Sequence, residues 1–119
     1  MENKEFSKKL EERTKAFAIG IIRLSAQIPD TVEGKIIRNQ ITKAGTSVGA
    51  NYREATRARS RADFKNKIKI CESEANETCY WLEIITEMKW CNSADMESIL
   101  SEANELLAIF TSIGKSLND

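Results

Sequence analysis

Phe64-Lys65-Asn66-Lys67-Ile68-Lys69-Ile70-Cys71-Glu72-Ser73-Glu74-Ala75-Asn76-Glu77-Thr78-Cys79-Tyr80-Trp81-Leu82-Glu83-Ile84-Ile85 is the stretch that decides the fold. Phe64, Ile68, Cys71, Ala75, Thr78, Leu82 and Ile85 recur at alternating four- and three-residue steps, which puts all seven on one face of a helix. Just upstream, Ile37, Ile41, Ala44, Val48, Asn51, Ala55 and Ala58 form a second seam of the same period. Between the two, Ser60 followed by Asp63 reads as an N-cap with an acidic residue at its third helical position. No strand-like alternation of comparable length competes.

Further out, Phe6, Leu10, Phe17, Ile21, Leu24 and Ile28 mark an earlier helix, stopped by Pro29-Asp30-Thr31 because the residue before a proline is pushed out of the α region. Met96, Leu100, Ala103, Leu107, Phe110 and Leu117 mark a last one, entered through the capping run Asn92-Ser93-Ala94-Asp95. The spacing thus predicts helices over about 4–28, 32–58, 61–89 and 94–117 in a single domain, 1–119. Short connections make neighbouring helices antiparallel, so the expected fold is an all-α, antiparallel up-and-down four-helix bundle. In the middle pair Ala44 should lie level with Ala75 and Val48 with Cys71, with Gly45 helping the two backbones approach.

A chain of 119 residues has room for one core. Its charged start, Met1-Glu2-Asn3-Lys4-Glu5, is not followed by an apolar run, so neither a signal peptide nor a membrane span is expected and the cytoplasm is the simplest compartment. Cys71, Cys79 and Cys91 are odd in number and form no Cys-x-x-Cys pair, which argues against a disulfide framework or zinc site. The chain has no histidine, so Ser-His-Asp, Cys-His and His-zinc chemistry are excluded. Gly45, Ser47 and Gly49 lack the pattern of a phosphate loop. Glu74 and Glu77, one turn apart, read better as partners for Arg or Lys across an interface than as acid and base. No cofactor, no metal and no enzymatic activity are expected.

The net charge of zero hides an asymmetry. Residues 35–69 carry ten basic side chains against two acidic, and residues 70–119 carry two basic against ten acidic, giving blocks of +8 and −8. Arg53, Arg57, Arg59, Arg61, Lys65, Lys67 and Lys69 concentrate around the turn between the second and third helices. Clustered cations attract phosphate oxygens and release counterions, whatever the base sequence. RNA or DNA is therefore one expected partner, with Tyr52 available to stack on a base. The other reading is a charged end neutralised by acids, with the cations used between subunits.

Ile70, Trp81, Ile84 and Met88 form a second apolar stripe on the third helix, interleaved with Glu74 and Glu77, and Ile19, Ile22 and Ala26 do something similar on the first. Such stripes are either the broad core face of a globular helix or a subunit interface. A homo-oligomer, with or without another protein partner, follows from the second reading. Asn51, the polar member of its seam, reads as a buried amide that fixes register or oligomer size.

The run Gln40-Ile41-Thr42-Lys43-Ala44-Gly45-Thr46-Ser47-Val48-Gly49-Ala50-Asn51-Tyr52-Arg53-Glu54-Ala55, followed by Ser60-Arg61-Ala62-Asp63-Phe64, resembles the signature of the bacterial four-helix-bundle family named for the 23S rRNA intervening-sequence protein. Glu72-Ser73-Glu74-Ala75-Asn76-Glu77-Thr78-Cys79-Tyr80-Trp81-Leu82 and Glu102-Ala103-Asn104-Glu105-Leu106-Leu107 resemble its third- and fourth-helix patterns. The resemblance implies a ring-like homopentamer. A related branch, the accessory protein of diversity-generating retroelements, binds nucleic acid and reverse transcriptase through a basic barrel, whereas most members have no established activity. The motif carries over to Ser47, Asn51, Glu54, Ser60, Glu74, Glu77 and Trp81. The chain departs from the pattern at Ala55, where glycine is common, and at Tyr52-Arg53, where a smaller and more apolar pair is frequent.

Overall fold

The computed structural model of the chain describes residues 4–118, which form four helices: α1 Lys4–Ser25, α2 Val32–Ala55, α3 Arg61–Met88 and α4 Ser93–Ser116. Among the described residues there is no strand. The starts of α2, α3 and α4 are each capped by the side chain that the sequence offers there. Thr31 accepts from the Gly34 N–H (3.0 Å), Ser60 from that of Asp63 (3.0 Å), and Asn92 from those of Ala94 and Asp95. These bonds satisfy donors that the first helical turn leaves without partners. All four helices end short of their expected limits, α3 and α4 by a single residue. α1 stops at Ser25 and α2 at Ala55, each followed by turn-type hydrogen bonds such as Ile28 to Ser25 and Ala58 to Ala55. α3 closes on Lys89, which takes the left-handed conformation (φ 56°) that lets Trp90 reach back to the Ile85 carbonyl.

Each helix packs on its neighbours in sequence, and α1 closes the circuit against α4. Contacts step down one helix as they step up the next. From α1 to α2 they run Ser7 to Tyr52, Thr14 to Gly49 and Ile21 to Gly45. From α3 to α4 they run Glu72 to Thr111 and Cys79 to Asn104. The α3 seam is buried throughout, from Phe64 to Ile85, and Cys71 donates to the Val48 carbonyl at 3.6 Å, the level expected from register.

The core corrects several side-chain expectations. Gly45 faces Ile21 of α1 and does not serve the α2–α3 contact. Tyr52, placed by its neighbours on the inner face, is fully buried: its hydroxyl bonds Ser7 Oγ at 3.0 Å and its ring tilts against Phe110, 5.7 Å between centroids. It is therefore closed to a nucleotide base. Asn51 is only half-buried, and its amide donates to the Ser47 carbonyl of its own helix at 2.8 Å. In α4 it is Leu106 that is fully buried while Leu107 is half-exposed, and Phe6 is 40% exposed instead of buried. Thr14 and Thr78 are buried yet satisfied, each donating to a carbonyl four residues back.

Candidate nucleic-acid interface

The basic residues fan around one end of the bundle instead of forming a flat face. Arg53, in the last turn of α2, and Arg57, just past its end, point toward α1, where Glu11 Oε1 lies 3.7 and 3.8 Å away. Arg59 and Arg61 flank the turn into α3. Arg61 Nη2 donates to the Leu117 carbonyl (3.1 Å), fastening this turn to the end of α4. Lys65 and Lys69 share with Glu72 the side of α3 that meets α4, since Glu72 accepts from Thr111 (2.7 Å). Lys67 lies toward α2. Among the described residues no carboxylate comes within 4 Å of the charged groups of Arg59, Arg61, Lys65, Lys67 or Lys69. The seven cations thus make a collar; among the described residues Glu11 pairs with its Arg53 and Arg57 side, and Asp63 takes the Arg59 backbone N–H at 3.4 Å.

Lys4 joins this collar, although nothing in its local sequence marks it. The first turn of α1 lies beside the end of α2, and Lys4, Ser7, Ala58, Arg59, Arg61 and Phe64 line a cleft of about 640 Å³. Pairing two helices end to start was the signal that would have found it.

Of the family-motif positions Ser60 lines this cleft, and the others lie elsewhere. Lys43, Ser47, Asn51 and Glu54 succeed one another at four-, four- and three-residue steps and so share one flank of α2. Ser47 donates to the Lys43 carbonyl (2.6 Å) and Asn51 to that of Ser47, a ladder along the helix; Glu54 is exposed and Ser60 is the α3 cap. Lys43 also acts on Glu74 across to α3. Burial, then repulsion from Glu77, pushes the Glu74 carboxyl above its ordinary value, and Lys43 opposes the shift. On the same flank run Ile70, Trp81 and Ile84, half-buried, and Met88, which is exposed. Trp81 Nε1 donates to Glu77 Oε2 (3.1 Å), and Tyr80 meets the Trp81 ring edge-on. Glu77 is thus engaged within its own helix, and the stripe is only partly covered by the chain itself.

Little here is set up for bond-making chemistry. Burial raises the Cys79 and Cys91 thiols, helped by Glu83 and Asp95 respectively, so both stay protonated at neutral pH and are poor nucleophiles. Among the described residues no group of three or more Cys, Asp or Glu side chains is placed to hold a metal ion, and no helix is long and apolar enough to cross a membrane.

The family model for the 23S rRNA-intervening sequence protein matches residues 7–112. The chain belongs to that family. The 23S rRNA-intervening sequence protein fold is also seen in a crystal structure from Bacteroides thetaiotaomicron, of a protein with unknown function from the S23 ribosomal protein family. The two are 38% identical and superpose with a TM-score of 0.80, over 88% of this chain and 97% of that one. No curated protein matches the chain.

Proposed function

We propose that this member of the 23S rRNA-intervening sequence protein family is a non-catalytic, cytoplasmic protein that binds RNA or DNA. In this reading the chain is an antiparallel up-and-down bundle that assembles into a homopentamer. One observation carries the functional part: a collar of cations at one end of the bundle, five of them with no carboxylate within 4 Å of their charged groups among the described residues. Repeating that collar around a ring multiplies weak phosphate contacts into avidity. Binding should tolerate any base sequence and fall steeply with salt. Anisotropy titrations with single-stranded RNA and DNA over a salt series test this. Changing Arg53, Arg57, Arg61 and Lys65 together to Gln should abolish binding without loss of helicity or mass.

A second reading has its own support. The flank carrying Ile70, Trp81, Ile84 and Met88 beside Ser47, Asn51 and Glu54 suits an assembly or scaffold module whose ring binds another protein. Buried aromatics often anchor interfaces, so Trp81→Ala should lower the mass seen by light scattering. If the parent binds no nucleic acid at low salt and the quadruple Gln variant dissociates, the cations work between subunits and the scaffold reading stands alone.

A further inference from the structure

The cleft at the basic end differs from the rest of the collar in having an apolar floor. Lys4 comes from α1, Arg59 and Arg61 from the turn, and Ala58 and Phe64 lie between them; among the described residues no carboxylate lines it. Arg61 is held in place by the Leu117 carbonyl, which occupies one of its five N–H donors and leaves the others for a ligand. Ser7 adds a hydroxyl fixed by Tyr52. Its volume of about 640 Å³ falls in the ~300–1,000 Å³ range of small-molecule sites. A nucleotide matches this chemistry: an anionic phosphate for the three cations, and a flat, largely apolar base for the floor. Bases of a duplex are stacked inside it, so only an unpaired one can enter.

Resting on the nucleic-acid reading above, we propose that this cleft holds one unpaired nucleotide of a single strand, its phosphate against Lys4, Arg59 and Arg61 and its base against Ala58 and Phe64. The collar is then a reader of single strands, not a general polyanion binder.

Charge density makes the test sharp. A duplex carries more charge per unit length than a single strand, so a collar acting through charge alone prefers the duplex. The cleft predicts the reverse, a preference of about ten-fold for the single strand, measured by anisotropy with a ten-nucleotide strand and its blunt duplex, as RNA and as DNA. Ala58→Leu fills the floor without changing charge and should remove the preference. Lys4→Gln with Arg59→Gln should remove it too, while Lys67→Gln with Lys69→Gln, equal in charge but outside the cleft, should weaken both ligands and keep it. If the Ala58 variant loses helicity, the two charge pairs decide the matter. A duplex bound as tightly as the single strand, or equal loss of single-strand binding from both charge pairs, overturns the cleft and leaves the nucleic-acid reading intact. No binding of either ligand at low salt overturns both.

Discussion

Gly45 of α2 lies so close to Ile21 of α1 that a Cβ added to the glycine would stand 2.8 Å from Ile21 Cγ1. Ile21 is fully buried and cannot swing away without disturbing Leu24 and Phe17 beside it in the core. The glycine is therefore a spacing element that lets the first two helices approach.

Gly45→Ala should destabilise the fold by about 1–2 kcal/mol, because overpacking costs ~1–3 kcal/mol and the better helix propensity of alanine returns less than ~1. Gly114→Ala is the control. It has nothing within 4 Å of the added Cβ, so the same exchange should stabilise by a few tenths to ~1 kcal/mol. Urea denaturation of the two variants checks the difference, and equal effects would mean that the Ile21 contact is slack.

Arg13 joins α1 to α4, the adjacent helices that touch least. Its Nε and Nη2 reach the two oxygens of Glu102 at 2.7 and 2.8 Å, and Nη2 also lies 2.6 Å from Glu105. Hydrogen bonds to Glu102 and then Glu105 hold the guanidinium pKa above its ordinary value, so the arginine stays charged as pH rises. A double-mutant cycle with Arg13→Gln and Glu102→Gln should give a coupling of about 1 kcal/mol, larger than a simple surface pair but discounted for the one-third exposure of both groups. A coupling near zero would show that solvent screens the fork completely.

These two contacts show what periodicity reveals and what it omits. The α3 seam from Phe64 to Ile85 was legible in full, because burial of one helical face writes itself as a 3.5-residue repeat. Which neighbour each small residue faces was not: Gly45 lies one residue from Ala44, and a rotation of about 100° turns it from α3 to α1. Tyr52, which the basic cluster offers as a ring to stack on a base, lies one turn after Val48 and so belongs to the inner face, where it is fully buried. The basic run was legible as composition, whereas Lys4 and Glu11 enter the collar only through the folding of α1 against α2.

Glu74 offers a pH test of the α2–α3 flank. A carboxyl whose folded pKa is raised binds its proton more tightly in the folded state, so its ionisation lowers stability as pH rises from the ordinary value of 4.5 through the folded value. Glu74→Gln should accordingly raise the melting temperature at pH 7 and change little at pH 4. A fall at pH 7 would instead reveal a cation from another subunit held against Glu74, as the sequence suggested for Glu74 and Glu77.

Glu11 is the acid that opposes the collar, and removing it asks directly whether the cations serve phosphate. Its oxygen stands 3.7 and 3.8 Å from Arg53 and Arg57, whose side chains are 59% and 67% exposed. Pairs so long and so open contribute almost nothing to folding, so Glu11→Gln should leave helicity and melting temperature unchanged. It should nevertheless release two arginines from a competing charge. If those arginines contact single-stranded RNA, the variant should bind several-fold more tightly at low salt. Its salt slope should steepen by up to about 1.4, since each phosphate contact adds ~0.7 for a single strand. The scaffold alternative predicts something else, because arginines used between subunits would answer to Glu11 through assembly. A variant with unchanged RNA affinity and an altered mass by light scattering would therefore assign Arg53 and Arg57 to the ring and take them out of the nucleic-acid interface.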